Sequence, residues 1–120
     1  MPSIRTTVLG LAMAATLAGT AHAQSDDTLK VGVMLTLSGP AGVIGEQARD
    51  AFLLAVEDMG GKLGGLETEV IVVDDELKPD NAVNKAKELV ERDEVDFVVG
   101  PIFSNILMAI AKPVTQSETI

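Results

Sequence analysis

Leu29-Lys30-Val31-Gly32-Val33-Met34-Leu35-Thr36-Leu37 (LKVGVMLTL) runs directly into Ser38-Gly39-Pro40-Ala41-Gly42-Val43-Ile44-Gly45 (SGPAGVIG). The first nine residues are almost continuously apolar, without the alternation of a strand that keeps one face in water. Such a run is expected of a strand buried on both faces, as in a parallel sheet. The next eight residues, with glycines at 39, 42 and 45 and Pro40, end it. From Gly45 to Met59 the spacing turns helical. Ala48, Ala51, Phe52, Ala55, Val56 and Met59 fall on one face, with Arg49, Asp50, Glu57 and Asp58 mostly on the other.

The same grammar recurs downstream. Gly60-Gly61 and Gly64-Gly65 supply turns. Thr68–Val73 (TEVIVV) reads as a second strand, closing on Asp74-Asp75-Glu76. Pro79 presets the first turn of a second helix, whose apolar face is Ala82, Val83, Ala86, Leu89 and Val90. Asp96–Val99 reads as a third strand. A third helix runs through Ile106–Ala111, with Ser104 able to cap it and Pro113 bending or ending it. The order β-α-β-α-β-α predicts an α/β three-layer fold, a parallel sheet with right-handed crossovers. Ser104–Ala111 is apolar nearly all round, which predicts cover on more than one side. Three strands are few for this architecture. Residues 24–120 are therefore expected to be the front part of a larger fold, with exposed apolar surface on the Ile106–Val114 helix.

The N-terminal residues read differently. Met1–Thr7 carries one charge, Arg5. Val8–Gly19 is apolar but too short for the ~20 residues of a membrane span, and Ala21-His22-Ala23 has the small-x-small form of a cleavage site. Met1–Ala23 is read as a signal peptide, with Gln24 the first mature residue and no cysteine following it to carry a lipid. The mature chain is thus expected to be exported to the periplasm without inserting into the membrane.

The 120 residues hold 18 acidic and 9 basic side chains, a net charge of −9, and no Cys, Trp or Tyr. Such an acidic surface disfavours nucleic acid and anionic membranes, and stacking platforms for bases are missing. The only histidine, His22, lies in the export segment. Acid–base or nucleophilic work would fall to carboxylates, lysines and hydroxyls alone, which argues against an enzyme.

Ligands of open parallel sheets bind beyond the carboxyl ends of the strands, where the strand order reverses. With the common order 2-1-3, that point lies between Ser38–Gly45 and Gly100–Asn105. Both loops lead into helix N-termini, which favour anions. Ser104 is either a helix cap or a ligand contact on this reading. Two other chemistries fit poorly. The glycines are spaced GxxGxxG and not GxGxxG, and no GxxxxGK[ST] loop is present, so a nucleotide cofactor is not expected. Asp74, Asp75, Glu76 and Asp80 lack the ligand rhythm of a calcium loop and read as a solvated strand end, with no metal.

Taken together, LKVGVMLTLSGPAGVIGEQARDAFLLAVEDM and DDELKPDNAVNKAKELVERDEVDFVVGPIFSN resemble the leucine/isoleucine/valine-binding type of periplasmic solute-binding protein, the receptors of branched-chain amino acid ABC importers. The resemblance covers Leu29 to Thr119 in one register. It rests on SGP with a following Gly-Glu, the acidic pair closing strand two, the Pro-led second helix and VVGP-xx-S. It implies a periplasmic-binding-protein-like type I fold, two-lobed and hinge-closing, with no enzymatic activity and no cofactor. The implied partners are a small-molecule ligand, an amino acid or related carboxylate, and a membrane permease. Ser38, Gly39, Pro40 and Ile44 would border the ligand. Ser104 would hold its α-carboxylate, flanked by Phe103 and Asn105. Other pocket contacts would lie beyond Ile120 and in the second lobe. Two positions depart from the family pattern: Ile44 stands where an aromatic residue is common, and Lys78 where a capping acid or amide is common. Because relatives of this type also take amides and aromatic acids, Ile44 leaves the ligand class open. A ligand-sensing lobe of a receptor or regulator is the alternative reading.

Overall fold

The computed structural model describes residues 27–120, so the signal-peptide reading of Met1–Ala23 lies outside the described residues. The elements are β1 (Leu29–Leu35), α1 (Gly42–Asp58), β2 (Lys62–Leu63), β3 (Leu66–Asp74), α2 (Pro79–Lys87), β4 (Phe97–Val99) and α3 (Ser104–Gln116). The strands lie in the order β2-β3-β1-β4. Both neighbours of β1 are parallel to it, with Val33 opposite Val72 of β3 and Val99 of β4. The expected 2-1-3 arrangement is therefore present.

The near-continuous apolar run of β1 follows from its central place. Val31, Val33 and Leu35 pack on one face with Ala48 and Phe52 of α1 and Val70 and Val72 of β3. Met34 points the other way, into Ala82, Ala86 and Leu89 and the α3 residues Ile106, Ile110 and Val114. Met34, Leu89 and Ile106 are fully buried, each worth about 1.5–3 kcal/mol of transfer free energy.

Four details differ from the expectation. The Gly64-Gly65 turn closes a hairpin, in which β2 pairs antiparallel with β3. A two-residue strand carries no periodicity to read. α1 starts at Gly42 rather than Gly45, and only a narrow row of it faces the sheet. Val56 is buried and Ala48 and Phe52 are half-buried, while Ala51, Ala55 and Met59 are exposed. α2 continues into one wider turn, Glu88–Arg92, where the Asp93 N–H reaches back five residues to the Glu88 carbonyl at 3.0 Å. Finally, α3 passes through Pro113 and ends at Gln116. Its buried residues Ile106, Ile110 and Val114 form one row at i, i+4, i+8, while Leu107 and Met108 are 49% and 82% exposed. The helix is thus covered on one side only, and its exposed apolar surface is as expected.

The two sides of the sheet end differently. At β2, Lys62 and Glu67 form a 2.7 Å ion pair across the hairpin. At β4, the Val98 N–H donates to the Ile120 carbonyl (2.7 Å), and the Ile120 N–H donates to the Asp96 carbonyl (3.3 Å).

Candidate functional site

The carboxyl end of β1 sits between two close backbone approaches. On one side, α1 lies so near that a Cβ on Gly45 would stand 2.6 Å from the Thr36 carbonyl carbon. On the other side, Gly100 follows β4 with φ +105, turned against the Met34 carbonyl where no side chain fits. The Gly100–Pro101 bond is cis. Both loops expected to border a ligand are therefore pressed against the same strand end.

The β4 loop delivers the N-terminus of α3. Phe103, with φ −100 and ψ 134, is the N-cap, so Ser104 is the first helical residue and not the cap. No side chain caps this end, and no acidic residue lies in its first turn. Ser104 and Asn105 are exposed. Unshielded N–H groups, a helix dipole and a free hydroxyl at one point make an anion-favouring corner. Phe103 is half-buried and packs against the core beside α3, so its ring is committed mainly to the fold.

On the β1 side, Ser38, Gly39 and Pro40 are exposed and Ile44 is 50% exposed. This rim is apolar and hydroxylic, and no charged side chain occurs between Leu37 and Gly45. Hydroxyl and N–H groups beside aliphatic surface suit a ligand with a carboxylate on an apolar body.

Strand alternation divides the acidic pair that closes β3. Asp74 shares the face of Val70 and Val72, and its Oδ1 accepts the N–H of Leu37 (2.9 Å) and of Glu76 (2.8 Å). Asp75 shares the opposite face, where its Oδ1 accepts the Thr36 hydroxyl (2.5 Å) and the Leu77 N–H (2.7 Å). Thr36 and Asp75 are both fully buried, and Asp75 Oδ2 has no partner. The reading of this segment as a solvated strand end therefore fails at Asp75. Acidic residues are rarely buried without partners, and no spacing in the sequence announces that Thr36 supplies one. Burial pushes the Asp74 carboxyl up, but the N–H groups of Leu37 and Glu76, with a further hold from Ser38, outweigh it and leave its pKa below the usual value.

A cleft of about 540 Å³ lies at the opposite end of the sheet, among Leu29, Leu66, Phe97 and Ile120. Asp27, Glu94 and Asp96 also line it, so it disfavours an anion. Among the described residues, no group of three or more acidic or histidine side chains is placed to hold a metal ion, and no helix is long and apolar enough to cross a membrane.

Residues 28–120 match the family model described as periplasmic binding protein. The leucine-, isoleucine-, valine-, threonine- and alanine-binding protein of Pseudomonas aeruginosa is 33% identical over 86 residues, 70% of this chain and 23% of that one. An ABC transporter substrate-binding protein from Sphaerobacter thermophilus is 36% identical, with a TM-score of 0.73 over 78% of this chain and 25% of that one. A solute-binding protein of an ABC transporter from R. palustris, solved in complex with benzoate, is 34% identical, with a TM-score of 0.70 over 74% of this chain and 25% of that one. The chain spans about a quarter of the length of these relatives.

Proposed function

Because the chain belongs to the periplasmic binding protein family, in its leucine/isoleucine/valine-binding branch, we propose that it is an extracytoplasmic receptor. It takes a small apolar carboxylate and delivers it to the permease of an ABC importer. Residues 24–120 serve as part of the N-terminal lobe, exported by Met1–Ala23, and a second lobe closes over the ligand. It works by binding and hinge closure rather than by catalysis. The observation that carries the reading is the uncapped α3 N-terminus, with exposed Ser104 and Asn105, set beside the Ser38–Ile44 rim at the end of β1.

In this reading the ligand carboxylate accepts from the first N–H groups of α3 and from the Ser104 hydroxyl. The Ile44 side chain borders its apolar part. Branched-chain amino acids are the leading ligands. Aromatic acids are the second reading, favoured by the 34% identity to the benzoate-bound protein, while Ile44 leaves both classes open. Both classes present a carboxylate on an apolar body. The lobe of a sensing receptor would use the same chemistry and differ only in what reads out closure.

Titration calorimetry of the full-length chain with leucine, isoleucine, valine, benzoate and 4-hydroxybenzoate tests this. Binding of at least one is expected. Ser104→Ala should weaken it by roughly 10- to 100-fold, since a hydrogen bond to a charged group is worth about 1.5–3 kcal/mol. Heat from none of the five, or an unchanged affinity in the variant, would refute the assignment.

A further inference from the structure

We infer that Asp74 is the positioning residue of the ligand-bordering loop, a role that rests on the reading of Ser38–Ile44 as the rim of the site. The loop leaves β1 at Leu37 and must present Ser38, Gly39 and Pro40 at the strand end, although all three are exposed and without core packing of their own. What fixes its start is the Asp74 carboxylate on the neighbouring strand. Its Oδ1 gathers the Leu37 N–H from the loop and the Glu76 N–H from its own turn, at 2.9 and 2.8 Å. Ser38 lies near enough to the same carboxylate to favour its charged form. One side chain thus locks the β1–α1 loop to the β3–α2 loop. Charge-assisted acceptors of this kind are stronger than neutral ones.

The adjacent acid does a different task. Asp75 is buried on the other face and ties Thr36 to the turn at Leu77. Its bonds hold the strand end in the core and do not reach the loop. Removing the charge of Asp74 in one variant and the Thr36 partner of Asp75 in another should therefore separate the two effects.

The test is amide spectroscopy and ligand binding on the full-length chain, comparing wild type with Asp74→Asn and Thr36→Val. In wild type, the Leu37 and Glu76 amide protons should resonate downfield and exchange slowly, as donors to a carboxylate. Asp74→Asn should move both signals upfield and speed exchange at Leu37 and Ser38 by at least tenfold. It should also weaken whichever of isoleucine or benzoate the wild type binds by about tenfold. Thr36→Val should lower the melting temperature yet leave the slow exchange of the Leu37 and Ser38 amides in place. Unchanged Leu37 and Ser38 amides in Asp74→Asn would overturn the inference. So would freed amides with undiminished affinity, although the receptor assignment would survive that result. If none of the five carboxylates binds the wild type, the receptor reading is what fails, and the amide shifts alone decide whether Asp74 holds the loop.

Discussion

Replacing Gly45 with alanine sets two effects of opposite sign against each other. Inside an exposed helix, glycine to alanine gains about 1 kcal/mol of helix propensity. Gly45, however, is buried in the first turns of α1, where the added Cβ would lie 2.6 Å from the Thr36 carbonyl carbon and 3.3 Å from a Leu37 methyl. Carbon atoms pack at about 3.5–4.0 Å, so helix and strand end must part by roughly 1 Å. The obstacle is backbone and cannot rotate away. Overpacking of this kind costs about 1–3 kcal/mol and occasionally more. Both atoms of the Thr36 carbonyl are struck, which puts the cost at the upper end of that range, so after the propensity gain a net loss of about 2 kcal/mol is expected. Because the parted strand end carries Leu37 and Ser38, ligand affinity should fall as well. Urea denaturation of wild type and Gly45→Ala, with Ala51→Gly on the exposed face of the same helix as a propensity control, measures the balance. An unchanged or raised midpoint for Gly45→Ala would refute the close approach of α1 to β1.

Acid should act through Asp74. Its pKa in the fold is below the ordinary 3.8, so it contributes stability above that value and loses it as pH falls through the lower, folded one. The wild type should therefore lose stability more steeply below about pH 4 than Asp74→Asn does, as read by denaturation midpoints across pH. On α3, Ile106→Ala should cost about 2–5 kcal/mol, as for a fully buried aliphatic residue. Met108→Ser, two residues on and on the far side of the helix, should stay within about 0.5 kcal/mol, because Met108 is largely in solvent. Equal losses in a thermal melt would contradict the one-sided cover of that helix.

Much of this fold is legible in the residues because burial on two faces leaves a plain mark. The run Val31–Leu35 announces a central parallel strand, and Pro79 marks the start of α2. The rest depends on partners far away in sequence. Which of Ala48, Ala51 and Ala55 faces the sheet is decided by the line of contact with β1, and alanines do not record it. The cap of α3 is Phe103 because the chain enters extended there, a backbone fact that the serine at 104 conceals. Of the site, the two loops and their meeting at β1 follow from topology and glycine content. The division of labour between Asp74 and Asp75 does not, since it comes from the alternation of β3 measured against Thr36 and Leu37.

The two borders of the sheet give it a direction. Beside β3 stands a two-residue strand closed by a glycine turn and guarded by Lys62 and Glu67, a short charged margin that discourages pairing. Beside β4, Ile120 both gives and takes a backbone hydrogen bond around Phe97, the spacing by which one parallel strand seats the next. Lateral growth of this sheet is accordingly templated at β4. Any strand recruited beside β4, from the same polypeptide or from another, meets a polarity already chosen by the bonds at Asp96 and Val98.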